Sequence, residues 1–158
     1  MGKGTMSRVG PLTHQDLEEA LPLFAGYQRF YGMAQPDRER NRQFFRRFLD
    51  PSEDGLLLGA WESGELVGFA CLYWTFSSIH ASEIVLLSDL FVREDGRGKG
   101  LGRSLIQASV DVARRRGAHH LEWLTASDNV GAQKLYDTVG ASKSSWLGYE
   151  IDTGRPGT

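Results

Sequence analysis

Four glycines, Gly96, Gly98, Gly100 and Gly102, fall within seven residues and are interleaved with Arg97, Lys99 and Arg103. That density of glycine excludes the interior of a helix or strand and lets the main chain take positive φ. If a helix starts here, its first turn leaves backbone N–H groups without partners, and its dipole favours a negative charge. Such a turn is a cradle for a phosphate or pyrophosphate, with the cations adding to the field. Two familiar phosphate loops do not fit. Gly98-Lys99 is followed by Gly100 where a nucleotide-binding P-loop needs Ser or Thr, and Gly98-x-Gly100-x-Gly102 lacks the spacing of a dinucleotide fingerprint.

The flanking residues supply the elements that would position this turn. Leu86-Leu87-Ser88-Asp89-Leu90-Phe91-Val92 is a run of large apolar residues, broken only at Ser88 and Asp89, and reads as a strand. Leu101, Leu105, Ile106, Ser109, Val112 and Ala113 recur at helical spacing, with Arg114, Arg115 and Arg116 at the negative end of the dipole and Gly117 beyond it. The order is strand, glycine turn, helix.

Arg97-x-x-Gly100-x-Gly102 after a strand ending Leu90-Phe91-Val92 resembles the coenzyme A pyrophosphate motif of the GCN5-related N-acetyltransferase (GNAT) superfamily. Three stretches extend the likeness toward its diamine (spermidine/spermine) and histone/polyamine acetyltransferase branch. They are residues 69–76, residues 87–92, and Asn129-x-x-Ala132-x-x-Leu135-Tyr136-x-x-x-Gly140. The resemblance implies acetyl-CoA as acyl donor, with coenzyme A as product and no metal. It implies that the backbone of Leu90, Phe91 and Val92 pairs with the pantetheine arm, and that Arg97, Gly98, Lys99, Gly100, Leu101, Gly102 and Arg103 hold the pyrophosphate. Asn129, Ala132 and Tyr136 would contact the coenzyme from the next helix. Tyr136 would also give the leaving thiolate its proton, as general acid. Asp89 would be the second catalytic group, as base, proton relay or anchor for the substrate ammonium. Tyr27, Tyr31, Ser88, Asp89, Glu122 and Trp123 would line the acceptor side. The polyamine enzymes carry a glutamate at the position of Ser88, so this chain departs from them there.

The expected reaction is direct acetyl transfer from the thioester to a primary amine of a small molecule of polyamine, diamine or amino-acid type. Acetylation of protein lysine and a coenzyme-binding regulatory domain without turnover are the alternatives. A homodimer is expected, as is common among such proteins.

The remaining chain is ordinary for one globular domain. It has 158 residues, 41% hydrophobic and 24% charged, with a formal net charge of −2 that gives no reason to expect nucleic acid. No apolar stretch reads as a membrane span or a signal peptide, and the single Cys71 excludes an internal disulfide, so the chain reads as cytoplasmic. Cys71 itself reads as core filling. His119 and His120 read as surface or sheet-end residues, without the pattern of a metal site.

Residues 1–8 read as an unstructured N-terminal segment or an addition upstream of the natural start, residues 9–152 as the single domain, and residues 153–158 as a tail. Thr13 with Asp16 reads as a cap opening a helix that carries Leu17, Leu21, Phe24, Tyr27 and Tyr31. A second helix begins near Pro36, with an arginine-rich face of Arg38, Arg40, Arg42, Arg46 and Arg47 that reads as solvated. Strands are expected at Leu56–Glu62 and Leu66–Phe76, joined by a turn at Ser63-Gly64, and at His119–Thr125 and Trp146–Ile151. The sum is an α/β, GNAT-type three-layer sandwich: a central mixed, mostly antiparallel twisted sheet with flanking helices.

Overall fold

The computed structural model describes residues 6–154. These divide into two compact units, one ending at Ala126 and one beginning at Ser127. The expectations for residues 1–5 and 155–158 lie outside the described residues.

The larger unit is built on a five-stranded sheet in sequence order, β1 (Ser7–Pro11), β2 (Gly55–Glu62), β3 (Glu65–Ser77), β4 (Ser82–Val92) and β5 (Leu121–Glu122). The first four strands run antiparallel, and β5 joins β4 in parallel. The sheet is therefore mixed and mostly antiparallel, as expected. Its helices are α1 (Leu17–Phe30), α2 (Arg38–Phe45) and α3 (Leu101–Arg115).

Alternation along β2 and β3 divides the core between two faces. Leu57, Trp61, Phe69 and Cys71 pack with Leu17, Leu21, Phe24, Phe45 and Phe48 from the α1–α2 side. The Phe24 ring stacks on Phe45 at 3.8 Å between centroids and meets Phe69 edge-on at 5.0 Å. Alternate residues Leu58, Ala60, Ala70 and Leu72 are buried too, as is the apolar stripe of α3 from Leu101 to Ala113. Each fully buried Leu or Phe side chain contributes roughly 1.5–3 kcal/mol of transfer free energy, so this core dominates the favourable side of folding.

Local chemistry sets the helix boundaries. The Asp16 carboxylate accepts from the Thr13 N–H at 2.8 Å, as the capping pattern predicts, and a 3₁₀ turn leads into α1. The α1 helix continues through Pro22. Buried Asn41 on α2 exchanges two amide hydrogen bonds with Gln28 on α1, both 2.8 Å, which satisfies its polar atoms and ties the helices together. The basic face of α2 is spent locally: Arg38 and Arg42 pair with Glu18 at 3.2 and 2.8 Å.

Three expectations need correction. Ser7 and Arg8, placed in an unstructured segment, belong to β1, where Ser7 pairs with Glu62 and Pro11 with Leu58. The strand expected over His119–Thr125 contracts to Leu121–Glu122, because only Val85 and Leu86 of β4 pair with it. Residues Trp146–Ile151 form no strand among the described residues, since no ladder partner is present to define one.

Candidate active site

The central feature of the site is a break in the β3–β4 ladder. Cys71 pairs with Asp89 and Leu72 with Leu87, so Ser88 is an extra residue on β4, a β-bulge. A bulge bends its strand and re-aims side chains, and here it explains the two adjacent polar residues in an apolar run. Ser88 and Asp89 both interact with groups on the α1 face. The Asp89 carboxylate interacts with the hydroxyls of Tyr27 from α1 and of Ser88, while Ser88 also interacts with Tyr73.

Electrostatics follow from this half-buried setting. Desolvation raises the Asp89 pKa above its ordinary value, and the Tyr27 and Ser88 hydroxyls oppose that by stabilising the charge. Burial raises the Tyr27 phenol further, and the neighbouring Asp89 adds to it. Tyr73 is raised mainly by burial and next by Cys71. Cys71 is fully buried and its thiol pushed well up by desolvation, so it is not a thiolate nucleophile. Tyr73 was not among the residues singled out by sequence. Its signal was available in its place on the same alternating face of the strand as Phe69 and Cys71.

Beyond Leu86, β4 has no strand partner on its β5 side among the described residues. Leu90, Phe91 and Val92 lie along this edge, which suits pairing with an extended chain as an added strand, although the Val92 carbonyl already accepts from Arg97 Nε at 2.8 Å. The edge runs into a short 3₁₀ turn, Glu94–Gly96, and then into the glycines. Gly98 and Gly100 hold φ of 77° and 79°, the left-handed region, and a Cβ on either would meet open space. Backbone conformation, not crowding, therefore requires glycine here. Gly100 is the N-cap of α3 and supplies no side-chain cap to the first-turn N–H groups. An open backbone, positive φ and an uncapped helix start suit the pyrophosphate and pantetheine of coenzyme A.

Two of the cations around this loop have partners within the protein. Arg97 turns back, its Nε donating to the Val92 carbonyl at 2.8 Å, with its guanidinium 5.8 Å from the Phe91 ring centroid. Lys99 pairs with Glu62 of β2 at 2.6 Å. Both side chains brace the loop against the sheet. Arg103 is exposed in the first turn of α3.

Of the residues expected on the acceptor side, Tyr27 reaches Asp89 and packs with its ring centroid 5.0 Å from that of Tyr31, which is 58% exposed. Glu122 is exposed on β5, and its carboxylate is 3.1 Å from His120 Nε2. Trp123 is half-buried just after β5.

In the second unit, Asn129 caps α4 (Val130–Thr138): its Oδ1 accepts from the Ala132 N–H at 3.2 Å. Tyr136 is half-buried on that helix.

The GNAT acetyltransferase family model matches residues 19–141. The chain belongs to that family. It is 38% identical over 139 residues to the "Uncharacterized N-acetyltransferase YhfO" of Bacillus subtilis, covering 88% of this chain and 87% of the relative. It is 35% identical over 133 residues to a D-amino-acid N-acetyltransferase of Saccharomyces cerevisiae, covering 83% and 82%. The solved structure of a probable acetyltransferase superposes with a TM-score of 0.82 at 29% identity, covering 94% of this chain and 99% of the other. The protein is thus a GNAT N-acetyltransferase, and its sheet with flanking helices is the GNAT fold. No helix of the described residues is long and apolar enough to cross a membrane.

Proposed function

We propose that this GNAT enzyme moves an acetyl group from acetyl-CoA to the primary amine of a small molecule, of amino-acid or diamine type. The observation that carries the reading is the continuity of the open β4 edge with the uncapped, glycine-led start of α3, with Asp89 beside it on β4. The yeast relative's activity on D-amino acids supports a small acceptor.

When bound, acetyl-CoA supplies an activated thioester carbonyl. The N–H groups at the start of α3 hold the pyrophosphate, and the backbone of Leu90 to Val92 orients the pantetheine arm and polarises the carbonyl. Asp89 attracts the incoming ammonium. Its raised proton affinity makes it a better proton acceptor than an exposed aspartate, so it passes on the proton that the amine must lose before attack. Tyr27 and Ser88 keep that carboxylate oriented. Tyr136 donates its phenolic proton to the departing sulfur, and the acetylated nitrogen's surplus proton restores it. The enzyme acts as a homodimer in the cytoplasm.

The test is thiol release from acetyl-CoA with D- and L-amino acids, short diamines and a lysine-containing peptide, with product masses recorded. Acetylated small amines are expected. Acetylation of the peptide alone, or no thiol release with any acceptor, contradicts the proposal.

A further inference from the structure

The β3–β4 turn brings His80 to His119 and His120, which precede β5. The cluster lies at the start of β4, the opposite end of that strand from the glycine loop. One ligand-capable atom from each residue lies within 4.8 Å of the other two. His119 and His120 alone offered no third donor in the sequence; the hairpin turn supplies it.

Each anchor of the cluster favours metal ligation. The Ser77 hydroxyl engages His80 Nδ1 at 2.9 Å, leaving Nε2 available. Glu122 engages His120 Nε2 at 3.1 Å. A carboxylate only accepts, so that nitrogen carries the proton and Nδ1 presents its lone pair. A carboxylate or hydroxyl behind the imidazole is the usual way to fix the tautomer of a metal-binding histidine. His120 Nδ1 in turn stands 3.0 Å from His119 Nδ1. Two lone pairs at that distance repel unless a proton or a cation lies between them. The backbone is already held: His119 N–H donates to the Glu83 carbonyl at 2.9 Å, and the His120 carbonyl accepts from Val85 N–H at 3.1 Å. Nitrogens around a zinc ion, at about 2.0–2.1 Å from it, stand roughly 3.4 Å apart. Exposed His80 and His119 can make the remaining contraction by side-chain rotation.

We propose that His80, His119 and His120 bind one late first-row divalent cation, of which zinc is the representative, with Glu122 as the positioning carboxylate and water in the fourth position. Three imidazoles suit zinc, nickel or copper over magnesium or calcium. The ion clasps the β3–β4 turn to the entry of β5 and so stabilises the shortest strand pairing in the sheet. This also gives Glu122 a role apart from the acceptor amine.

The probe is zinc chloride titrated by calorimetry into untagged, metal-stripped full-length protein, with thermal melts in parallel. One zinc per chain and a higher melting temperature are expected. His80→Ala and His119→Ala should each weaken binding at least tenfold, and Glu122→Gln by about 10–100-fold. His14→Ala, at the start of the chain, should match the parent, and circular dichroism checks that each variant is folded. A parent that binds no zinc at 100 µM overturns the proposal. So does a folded His80→Ala variant with parental affinity.

Discussion

Two helices that the family resemblance assigns to the coenzyme begin in opposite ways. The α3 helix starts on Gly100 at φ 79° with no side-chain cap, whereas α4 starts on Asn129, whose Oδ1 caps the Ala132 N–H at 3.2 Å. A side-chain cap contributes about 1 kcal/mol, so an uncapped start forgoes stability that a bound anion can return. At α4 the helix end is satisfied internally. The cap uses Oδ1, so only the Asn129 Nδ2 group remains to donate to a ligand. The contrast separates a helix start left without a side-chain cap from one closed by its own asparagine.

The largest expected effect tests the capped helix. Tyr136→Phe preserves the ring and removes the proton donor, so the turnover number should fall by roughly 10²–10⁴ with little change in acetyl-CoA affinity. Parental turnover in steady-state kinetics across the pH range would remove Tyr136 from the reaction. The uncapped helix is tested by Gly102→Glu, which sets a carboxylate beside the pyrophosphate. Like-charge juxtaposition costs several kcal/mol, so coenzyme A affinity by calorimetry should drop at least about a hundredfold. Unchanged affinity in the folded variant would refute the α3 assignment.

Asp89→Asn has two readouts. As an ammonium anchor, Asp89 contributes uniform binding, and its loss should mainly raise the acceptor's KM; a fall in kcat alone would make it a proton relay. Stability should change in the other direction. Folded Asp89 binds its proton more tightly than unfolded Asp89, so ionising it costs the fold. That cost is absent below the ordinary value of 3.8, grows as pH rises through the folded-state value, and is complete above it. Asp89→Asn should therefore melt above the parent at neutral pH and level with it near pH 3. A variant less stable than the parent at neutral pH would show that Asp89's hydrogen bonds outweigh its desolvation.

The smallest effect sharpens the comparison itself. Asn129→Ala should cost about 1 kcal/mol of stability through the lost cap. Asn129→Asp retains the acceptor and should restore that stability. If Nδ2 contacts the coenzyme, the Asp variant keeps the weakened affinity of the Ala variant. Equal recovery of both properties would reduce Asn129 to a cap.

Much of this architecture was legible because its signals are local. Thr13 with Asp16, the apolar stripe of α3, and Gly98 and Gly100 each act within a few residues, and each appears where expected. The failures involve distant partners. Nothing within Ser7–Pro11 marks a strand, since β1 exists through its pairing with the edge of β2. The bulge at Ser88 depends on the β3 register, although Ser88-Asp89 in an apolar run hinted at it. The intramolecular partners of Lys99 and Arg97, namely Glu62 and the Val92 carbonyl, are remote or unremarkable in sequence and were not legible there. His80 lies 39 residues before His119, too far for spacing alone to join them.

The central claim is that the backbone at the start of α3 receives the coenzyme's pyrophosphate. Amide chemical shifts of ¹⁵N-labelled protein titrated with coenzyme A test it most directly. The N–H resonances of Gly98 to Gly102 should move most among helix starts, while the Arg40 and Asn41 amides, at the Asp37-capped start of α2, should stay in place. Saturable binding that leaves the Gly98–Gly102 amides unmoved would contradict it.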